Sequence, residues 1–229
     1  MTGVQTCALP ISQEQFEQVL RISPDYARAH HSLAILAEAD GRHAEALERF
    51  AAAVKYGPDD ASSRVGFADL LRRAGRLSEA LGQYDQASKL DPRRVDATLG
   101  VAQTLAGLRR YQEAKDRLFQ ATAAYPDEPK IAQALARLLA SAPDARVRDG
   151  RRALKIVQTL LKRSASTELG ETLAMAFAEL GQFDQAVRVQ RDVIAANERA
   201  GLPDAALEMA ANLKLYESRK PSRTPWPVK

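Results

Sequence analysis

The sequence is poor in cysteine and in aromatic residues. It contains one cysteine, Cys7, and aromatic side chains make up 6% of its 229 residues. A single cysteine excludes an internal disulfide and a metal site built from several thiolates. Because 45% of the residues are hydrophobic but few carry rings, we expect a helical protein whose core consists of many small contacts.

Long apolar runs and a strong charge imbalance are also missing. No stretch approaches the roughly 18 apolar residues that cross a bilayer, so we expect no membrane span in this sequence. The 33 basic and 29 acidic residues give a net charge of +4 that is spread along the chain. This mild bias is typical of solvated helix faces and does not indicate binding to nucleic acid. An acidic partner is the alternative for one dense basic cluster, which consists of Arg146, Arg148, Arg151, Arg152, Lys155, Lys162 and Arg163.

Motifs for catalysis or cofactor binding are missing from the sequence as well. Neither a GxxxxGK[ST] nor a GxGxxG phosphate loop occurs. His30 and His31 are adjacent, so on a helix they point about 100° apart and do not form the i, i+4 pair that binds zinc. We expect both to be surface or groove residues. The sequence therefore predicts no catalytic residue, no metal ligand, no cofactor and no enzymatic activity.

What the sequence does contain is a repeat of 34 residues. A fixed period of this size is decisive for the fold, because each repeat is one structural unit. Several columns share the period, with proline in one, alanine in two, and a large apolar or aromatic residue in another. These columns are Pro24, Pro58, Pro92 and Pro126; Ala34, Ala68, Ala102 and Ala136; Ala46, Ala80 and Ala114; and Phe50, Tyr84 and Leu118.

Each unit carries two apolar stripes at helical spacing, joined by a short polar turn. Gly41 and Gly75 occupy the same place in two of these turns, where glycine favours a left-handed cap, and Arg109 takes that place in the third. The recurring proline is expected to end the second helix and can start the next one. Each unit is thus a predicted helical hairpin that must stack on its neighbours to bury its apolar faces.

These units resemble tetratricopeptide repeats in the small residue of the first helix, the alanine and aromatic pair of the second helix, and the closing proline. Tyr111 and the YQEA segment after the third turn also match that family. The aromatic residue that the family often has near the start of the first helix is replaced by His30, Arg64 and Thr98. The resemblance covers residues 13–201. It implies an all-α protein of bacterial type, a right-handed α-solenoid of tetratricopeptide-like helical hairpins with a C-terminal capping helix.

The repeat predicts where the parts of the chain begin and end. The fourth repeat is expanded by five residues within SAPDARVRDGRR, where Asp144 or Asp149 could cap the following helix. For the Pro-rich tail, two states stay open, with Trp226 packed on the last helix or with the tail mobile. The predicted parts are a segment 1–12, a repeat solenoid 13–201 (half repeat 13–26; repeats 27–60, 61–94, 95–128, 129–166 and 167–201), a capping helix 202–219, and an extended tail 220–229.

The first residues, MTGVQTCALPIS, do not fit the repeat. They are uncharged, contain Pro10, and stand where a partner helix for QEQFEQVL is expected. Translated back into codons, residues 1–11 resemble a standard sequencing-library adapter. We therefore expect this segment to be non-native and the chain to be a fragment, with its native N-terminus, any signal or anchor, and its localisation left open.

The resemblance also implies a binding surface, since the first helices of tetratricopeptide repeats line a concave groove. Some relatives bind a C-terminal carboxylate with lysine and asparagine, but His31 and Ile35 stand at those places here. An extended peptide or a helix laid along a mixed polar groove is the expected ligand. The side chains expected to face it are Arg28, His31, Ile35, Glu38, Val65, Asp69, Arg72, Leu99, Gln103, Lys130, Gln133, Arg137 and Glu171.

The function that these features predict is a non-catalytic protein–protein interaction scaffold, monomeric or weakly self-associating. Two alternatives remain. The chain could be the regulatory or substrate-recruiting C-terminal segment of a larger enzyme, or a secreted or lipid-anchored assembly factor of a bacterial envelope machine. The features that separate them, a catalytic motif or a lipid-attachment signal, would precede Gln13.

Overall fold

The computed structural model describes residues 13–226, and the segment 1–12, including Cys7, lies outside the described residues. Within the described part, the regular structure consists of twelve α-helices and contains no strand. The chain is an all-α helical-repeat solenoid, as predicted. The helices are α1 Gln13–Ile22, α2 Ala27–Ala39, α3 His43–Tyr56, α4 Ala61–Arg73, α5 Leu77–Leu90, α6 Val95–Gly107, α7 Tyr111–Ala124, α8 Pro129–Ser141, α9 Gly150–Leu161, α10 Thr167–Glu179, α11 Phe183–Arg199 and α12 Pro203–Glu217.

The described residues divide into two compact units, here called unit 1 (residues 13–100) and unit 2 (residues 101–226). The boundary falls inside α6. In each unit, consecutive helices pack as hairpins, for example α2 on α3 and α10 on α11. The predicted domain boundaries remain a prediction, because the bounds of helices do not define independently folding parts.

The recurring alanines lie at the closest helix contacts. Ala34, Ala46 and Ala53 have no exposed surface, and the Phe50 ring fills the space beside them. A small residue lets two helices approach, while the ring one turn away removes the remaining apolar surface from water. The same arrangement recurs around Tyr84 in the next repeat.

The turns inside the hairpins share one backbone geometry. Gly41, Gly75 and Gly181 have φ values of 73°, 74° and 73°. Arg109 has a φ of 61° at the corresponding place, so it adopts the left-handed conformation without being glycine. In each turn the next residue's amide bonds a carbonyl five residues back, as Arg42 does to Ala37 at 2.8 Å, which closes the helix end.

The prolines between hairpins end one helix but do not start the next. Pro58 lies two residues after α3 and three residues before α4. A hydrogen bond of 3.1 Å from the Asp60 amide to the Gly57 carbonyl closes a turn around this proline, a position where its fixed φ is favourable. Pro129 and Pro203 instead occupy the first turn of α8 and α12, where no amide donor is needed.

The expanded turn of the fourth repeat connects α8 to α9. Asp149 caps α9 by accepting a hydrogen bond of 2.9 Å from the Arg152 amide. Asp144 accepts bonds from the amide and guanidinium of Arg146 within the turn instead. Of the two predicted caps, Asp149 is therefore the one used. Val147 is buried and anchors the turn to the core.

The last helix and the tail belong to unit 2. Helix α12 packs on α11, and its Tyr216 is completely buried next to Ala174 and Ala186. Residues 220–226 have no regular secondary structure. Within them, Ser222 and Pro225 are buried and Trp226 is half-buried. The tail is docked through hydrogen bonds to Arg137 of α8 and Glu179 of α10, whereas the packing of Trp226 on the last helix remains a prediction.

Candidate functional site

The first-helix face of unit 1 is formed by α2, α4 and the start of α6. Ile35 is 49% exposed, and the charged residues Glu38, Asp69 and Arg72 are half-buried around that face. Ile35 thus presents exposed apolar surface beside charged side chains that are partly covered.

A chain of three polar groups links α2 to the start of α4. The Ser63 hydroxyl lies 2.8 Å from Nδ1 of His31 and donates a hydrogen bond of 2.5 Å to Asp60. In a nucleophilic triad the imidazole lies between the carboxylate and the hydroxyl, whereas here the hydroxyl lies between the other two groups. The arrangement therefore connects α2 to α4 and does not have the order of a nucleophilic triad.

The environment of this chain shifts both titrating groups. Burial lowers the pKa of His31, and the nearby Arg94 lowers it further against the opposing effect of Asp60. Burial would raise the pKa of Asp60, but hydrogen bonds from the Ser63 hydroxyl and the Ser62 amide outweigh it, so that pKa lies below its usual value. Neutral His31 next to an ionised Asp60 is thus the favoured state near neutral pH.

A salt bridge and a hydrogen bond connect the helices of unit 1 at this face. Arg73 at the end of α4 contacts Glu38 of α2 at 2.5 Å. The Tyr84 hydroxyl donates a hydrogen bond of 2.5 Å to Asp69. Burial, together with the Asp69 carboxylate, raises the pKa of Tyr84 well above its ordinary value. These contacts hold the polar side chains of the face in fixed positions.

The first-helix face of unit 2 centres on an ion pair between α8 and α10. Nη1 of Arg137 lies 2.6 Å from a carboxylate oxygen of Glu171, and both side chains are largely buried. The other oxygen of Glu171 accepts a bond of 3.2 Å from the Asn212 amide of α12. Nε of Arg137 donates to the backbone carbonyl of Pro225 in the tail. One guanidinium thus binds both a carboxylate and an extended chain.

A second carboxylate on this face is shared by two arginines. One oxygen of Glu179, at the end of α10, accepts from Nε of Arg148 at 2.9 Å, and the other accepts from Arg223 of the tail at 2.6 Å. Arg148 also donates to the carbonyls of Ala142 and Pro143 in the expanded turn. Glu179 therefore connects α10, the expanded turn and the tail.

The thirteen side chains expected in the groove differ in exposure. Arg28, Ile35 and Lys130 are exposed, whereas two are buried, Val65 at 6% and Glu171 at 7%. Glu171 is covered because Arg137 and Asn212 bind it. The remaining eight, His31, Glu38, Asp69, Arg72, Leu99, Gln103, Gln133 and Arg137, are half-buried. That these residues form a binding groove remains a prediction.

The expectation that His30 is a surface or groove residue is wrong. Its side chain is 8% exposed, with Nε2 lying 2.8 Å from the Pro24 carbonyl and the ring stacked on Tyr56 at 5.6 Å. His30 occupies the place where related repeats often have an aromatic residue, and its ring packs there as an aromatic ring would. His31 is half-buried, with its ring edge-on to Phe50 at 5.6 Å.

The basic cluster is only partly a solvated helix face. Arg148 is held by Glu179, whereas the guanidinium of Arg152 stacks over the Phe119 ring at 4.6 Å. Phe119 comes from α7, so the spacing of residues in the cluster did not indicate this contact. These residues line a cleft of about 360 Å³ beside the expanded turn, together with Lys115, Asp116, Leu135, Leu139, Arg146, Val147 and Asp149.

Metal-binding and membrane-spanning features are not observed in the part of the chain that the structure describes. No group of three or more histidine, cysteine, aspartate or glutamate side chains within residues 13–226 is arranged to hold a metal ion. None of the described helices is both long and apolar enough to cross a bilayer.

Sequence reasoning missed an ion pair that holds the tail. Arg137 was expected on this face, but the pairing of Glu179 with Arg223 was not, because the tail lies outside the 34-residue repeat and no periodic pattern links the two. The signal that could have found this pair is charge, because Arg223 is the only charged residue within PSRTPWPV and is the one residue there that can form an ion pair.

Stacked helical hairpins with alanine-rich contacts and polar first-helix faces define a helical-repeat protein. Sequence models of the tetratricopeptide repeat match residues 9–64 and 71–138. The chain is therefore a tetratricopeptide-repeat protein. No curated protein matches the sequence significantly.

Solved structures of tetratricopeptide-repeat proteins share the fold. PilW, a type IV pilus biogenesis factor, superposes with a TM-score of 0.65 at 20% identity over 85% of this chain and 88% of its own. A thermophilic repeat protein from Thermus thermophilus, TTC0263, has a TM-score of 0.63 at 17% identity, over 81% and 99%. YrrB, which has an unusual peptide-binding site, has a TM-score of 0.60 at 14% identity, over 86% and 100%.

Proposed function

We propose that this protein is a non-catalytic scaffold that binds an extended peptide of a partner protein along the first helices of its repeats. The observation that supports this function best is the docked tail. Residues 220–226 lack regular structure and lie against α8 and α10, where Arg137 binds the Pro225 carbonyl and Glu179 binds Arg223. The first-helix face of unit 2 thus has groups that can bind both the backbone and a side chain of an extended segment.

The fold supports the same proposal at a coarser level. Tetratricopeptide-repeat proteins are in general interaction scaffolds without catalytic groups. YrrB is described as having a peptide-binding site, and this chain shares its fold. The alternative function, a recruiting segment of a larger enzyme, stays a prediction that uses the same binding face.

Selection from a displayed library of random peptides tests the proposal on the full chain. The selected peptides are titrated against wild-type protein and against two charge reversals on the first helices, Arg72→Glu and Lys130→Glu. The matched controls are Arg188→Glu on α11 and Lys155→Glu on α9, exposed positions on second helices. We expect the affinity to fall at least about tenfold in one first-helix variant, depending on which unit binds.

The controls decide between the faces of the repeats. Affinities unchanged in both first-helix variants but reduced in the α9 or α11 variants would overturn the proposed binding face. Failure to select any peptide that binds in solution would overturn peptide binding itself. Thermal unfolding of each variant establishes that the comparison is made between folded proteins.

A further inference from the structure

We propose that the tail, residues 220–226, competes within the molecule for the peptide site of unit 2. This inference rests on the proposed function and adds to it the chemistry of the partner and its regulation. The partner segment is expected to be extended, to carry an arginine, and to place a proline two residues after it, as Arg223 and Pro225 are placed in the tail.

The carboxylate of Glu179 provides the selectivity for arginine. Its side chain is mostly buried, and its two oxygens are divided between Arg148 and Arg223. Arg148 belongs to the fixed expanded turn and reaches one oxygen only. The second oxygen is therefore a place for a guanidinium from an extended segment that crosses this face. A guanidinium forms a stronger charge-assisted bond there than a neutral donor would.

Arg137 provides recognition of the backbone. Its Nη1 is fixed by Glu171, which leaves Nε directed at the chain that crosses this face. A hydrogen bond to a backbone carbonyl does not depend on the side chain of that residue, so segments of different sequence can accept it. Prolines at 221 and 225 favour the extended conformation that presents such a carbonyl, and this lowers the entropy that is lost on binding.

Solvent reaches the ion pair that holds Arg223 of the tail. The tail's hydrogen bonds to the two helices are the bond from Arg137 of α8 to the Pro225 carbonyl and the pair of Arg223 with Glu179 of α10. The side chain of Arg223 remains 37% exposed, so water screens its ion pair. The tail nevertheless has an advantage over a free peptide, because the connection through α12 gives it a high effective concentration at the site. A partner must overcome that advantage to bind.

A labelled peptide of residues 218–229 tests this competition on the full-length protein. Its dissociation constant is measured by fluorescence anisotropy against the wild type and against Arg223→Glu, in which the tail's own arginine is replaced by a charge that Glu179 repels. Lys220→Glu makes the same charge change at an exposed residue of the tail and is the matched control. Arg223→Ala is a second variant, in case the reversal disturbs folding.

We expect the peptide to bind Arg223→Glu and Arg223→Ala at least about fivefold more tightly than the wild type or Lys220→Glu. A peptide that itself carries Arg223→Glu should bind none of them. Equal dissociation constants for all four proteins would overturn the competition, and so would failure of the native peptide to bind Arg223→Glu at millimolar concentration.

The two proposals fail separately. If library-selected peptides bind the first helices but the tail peptide does not distinguish the Arg223 variants, peptide binding stands and the competition is wrong. If the selected peptides bind another face while the tail peptide still prefers the Arg223 variants, the tail site stands and the wider peptide-binding function is wrong.

Discussion

Gly66 and Gly100 show how a missing Cβ atom sets the distance between consecutive repeats. A Cβ atom at Gly66 would lie 2.5 Å from the Phe50 ring, and one at Gly100 would lie 2.3 Å from the Tyr84 ring. Both distances are far below van der Waals contact. The buried ring of one repeat thus packs directly on the backbone of the following first helix. In the next repeat, Leu118 stands at the place of the ring and Ala134 at the place of the glycine. There a side chain smaller than tyrosine faces a residue larger than glycine.

Replacing Gly100 by alanine is expected to destabilise the protein. The added methyl group would displace the Tyr84 ring, and overpacking of this kind costs about 1–3 kcal/mol. Chemical denaturation measures the change in the free energy of unfolding. Gly82→Ala is the matched control, because its Cβ atom would meet nothing within 4 Å and alanine is favoured inside a helix by about 0.5–1 kcal/mol. A Gly100→Ala protein with the same free energy of unfolding as the wild type would contradict the close packing of the Tyr84 ring on this helix.

His31 makes the stability of unit 1 dependent on pH. Its pKa in the folded protein lies below the ordinary value of 6.5, so the unfolded chain takes up a proton first as the pH falls. The unfolded state then binds more protons, and the free energy of unfolding decreases with acidification. This loss begins near pH 6.5 and ends once the folded His31 is also protonated. The lowered pKa of Asp60 acts in the same direction at more acidic pH.

His31→Gln is expected to flatten this part of the stability profile. Glutamine can bond Ser63 but does not titrate, so the slope below pH 6.5, at most about 1.4 kcal/mol per pH unit for one group, should decrease. Urea unfolding at a series of pH values between 7.5 and 5 measures the slope of the free energy of unfolding against pH. The control His43→Gln changes an exposed histidine and should keep the wild-type slope. An unchanged slope in His31→Gln would show that other groups cause the acid sensitivity.

At the level of the hairpin, one turn is strained while its counterparts are not. Arg109 has a φ of 61° where Gly41 and Gly75 have 73° and 74°. A side chain in the left-handed conformation costs about 1–2 kcal/mol, which glycine avoids. The remainder of the turn has the same geometry in all three, since the amide after each of these residues bonds the carbonyl five residues back.

Arg109→Gly is expected to stabilise the protein by about 0.5–1 kcal/mol, because the relief of strain exceeds the entropy that glycine adds to the unfolded chain. Thermal and urea unfolding measure the gain. Gly75→Ala introduces the same strain in another turn and should lose a comparable amount. A decrease in stability for Arg109→Gly would indicate that the arginine side chain makes a stabilising contact.

The helical hairpins could be predicted from the sequence because each depends on local chemistry that recurs every 34 residues. Glycine in the turns and proline after the second helix act within a few residues of their own position, and the alanines act between adjacent helices of the repeat. The inward position of His30 was missed because it depends on Tyr56 and the Pro24 carbonyl. The docked tail was left undecided, since Arg223 meets Glu179 across 44 residues without any periodic signal.

At the level of the whole molecule, burial is uneven along the chain. None of the ten residues of α1 is buried, whereas α8 buries eight of its thirteen. In a repeat protein each helix is stabilised mainly by its nearest neighbours, so a helix with little burial opens at low cost. Such openings expose backbone amides to solvent independently of global unfolding.

Hydrogen exchange should therefore be fastest in α1 and slowest in α8. Mass spectrometry of peptic fragments over a time course resolves these helices. Within unit 1, α4, which buries six residues, serves as the internal reference for α1. Equal protection of α1 and α4 would show that α1 is stabilised by more than its burial indicates.

Glu179 links the expanded turn to the tail, because it binds an arginine from each. The expanded turn and the tail do not need to touch each other to influence one another, because each supplies an arginine to the same carboxylate. If a bound partner displaced Arg223, Arg148 would be the sole counterion of Glu179. If a ligand in the cleft drew Arg148 away, Arg223 would be the sole counterion instead. Thermodynamic linkage would make the two effects equal in free energy: a ligand that drew Arg148 into the cleft would strengthen the hold of Glu179 on Arg223, and release of the tail would strengthen its hold on Arg148.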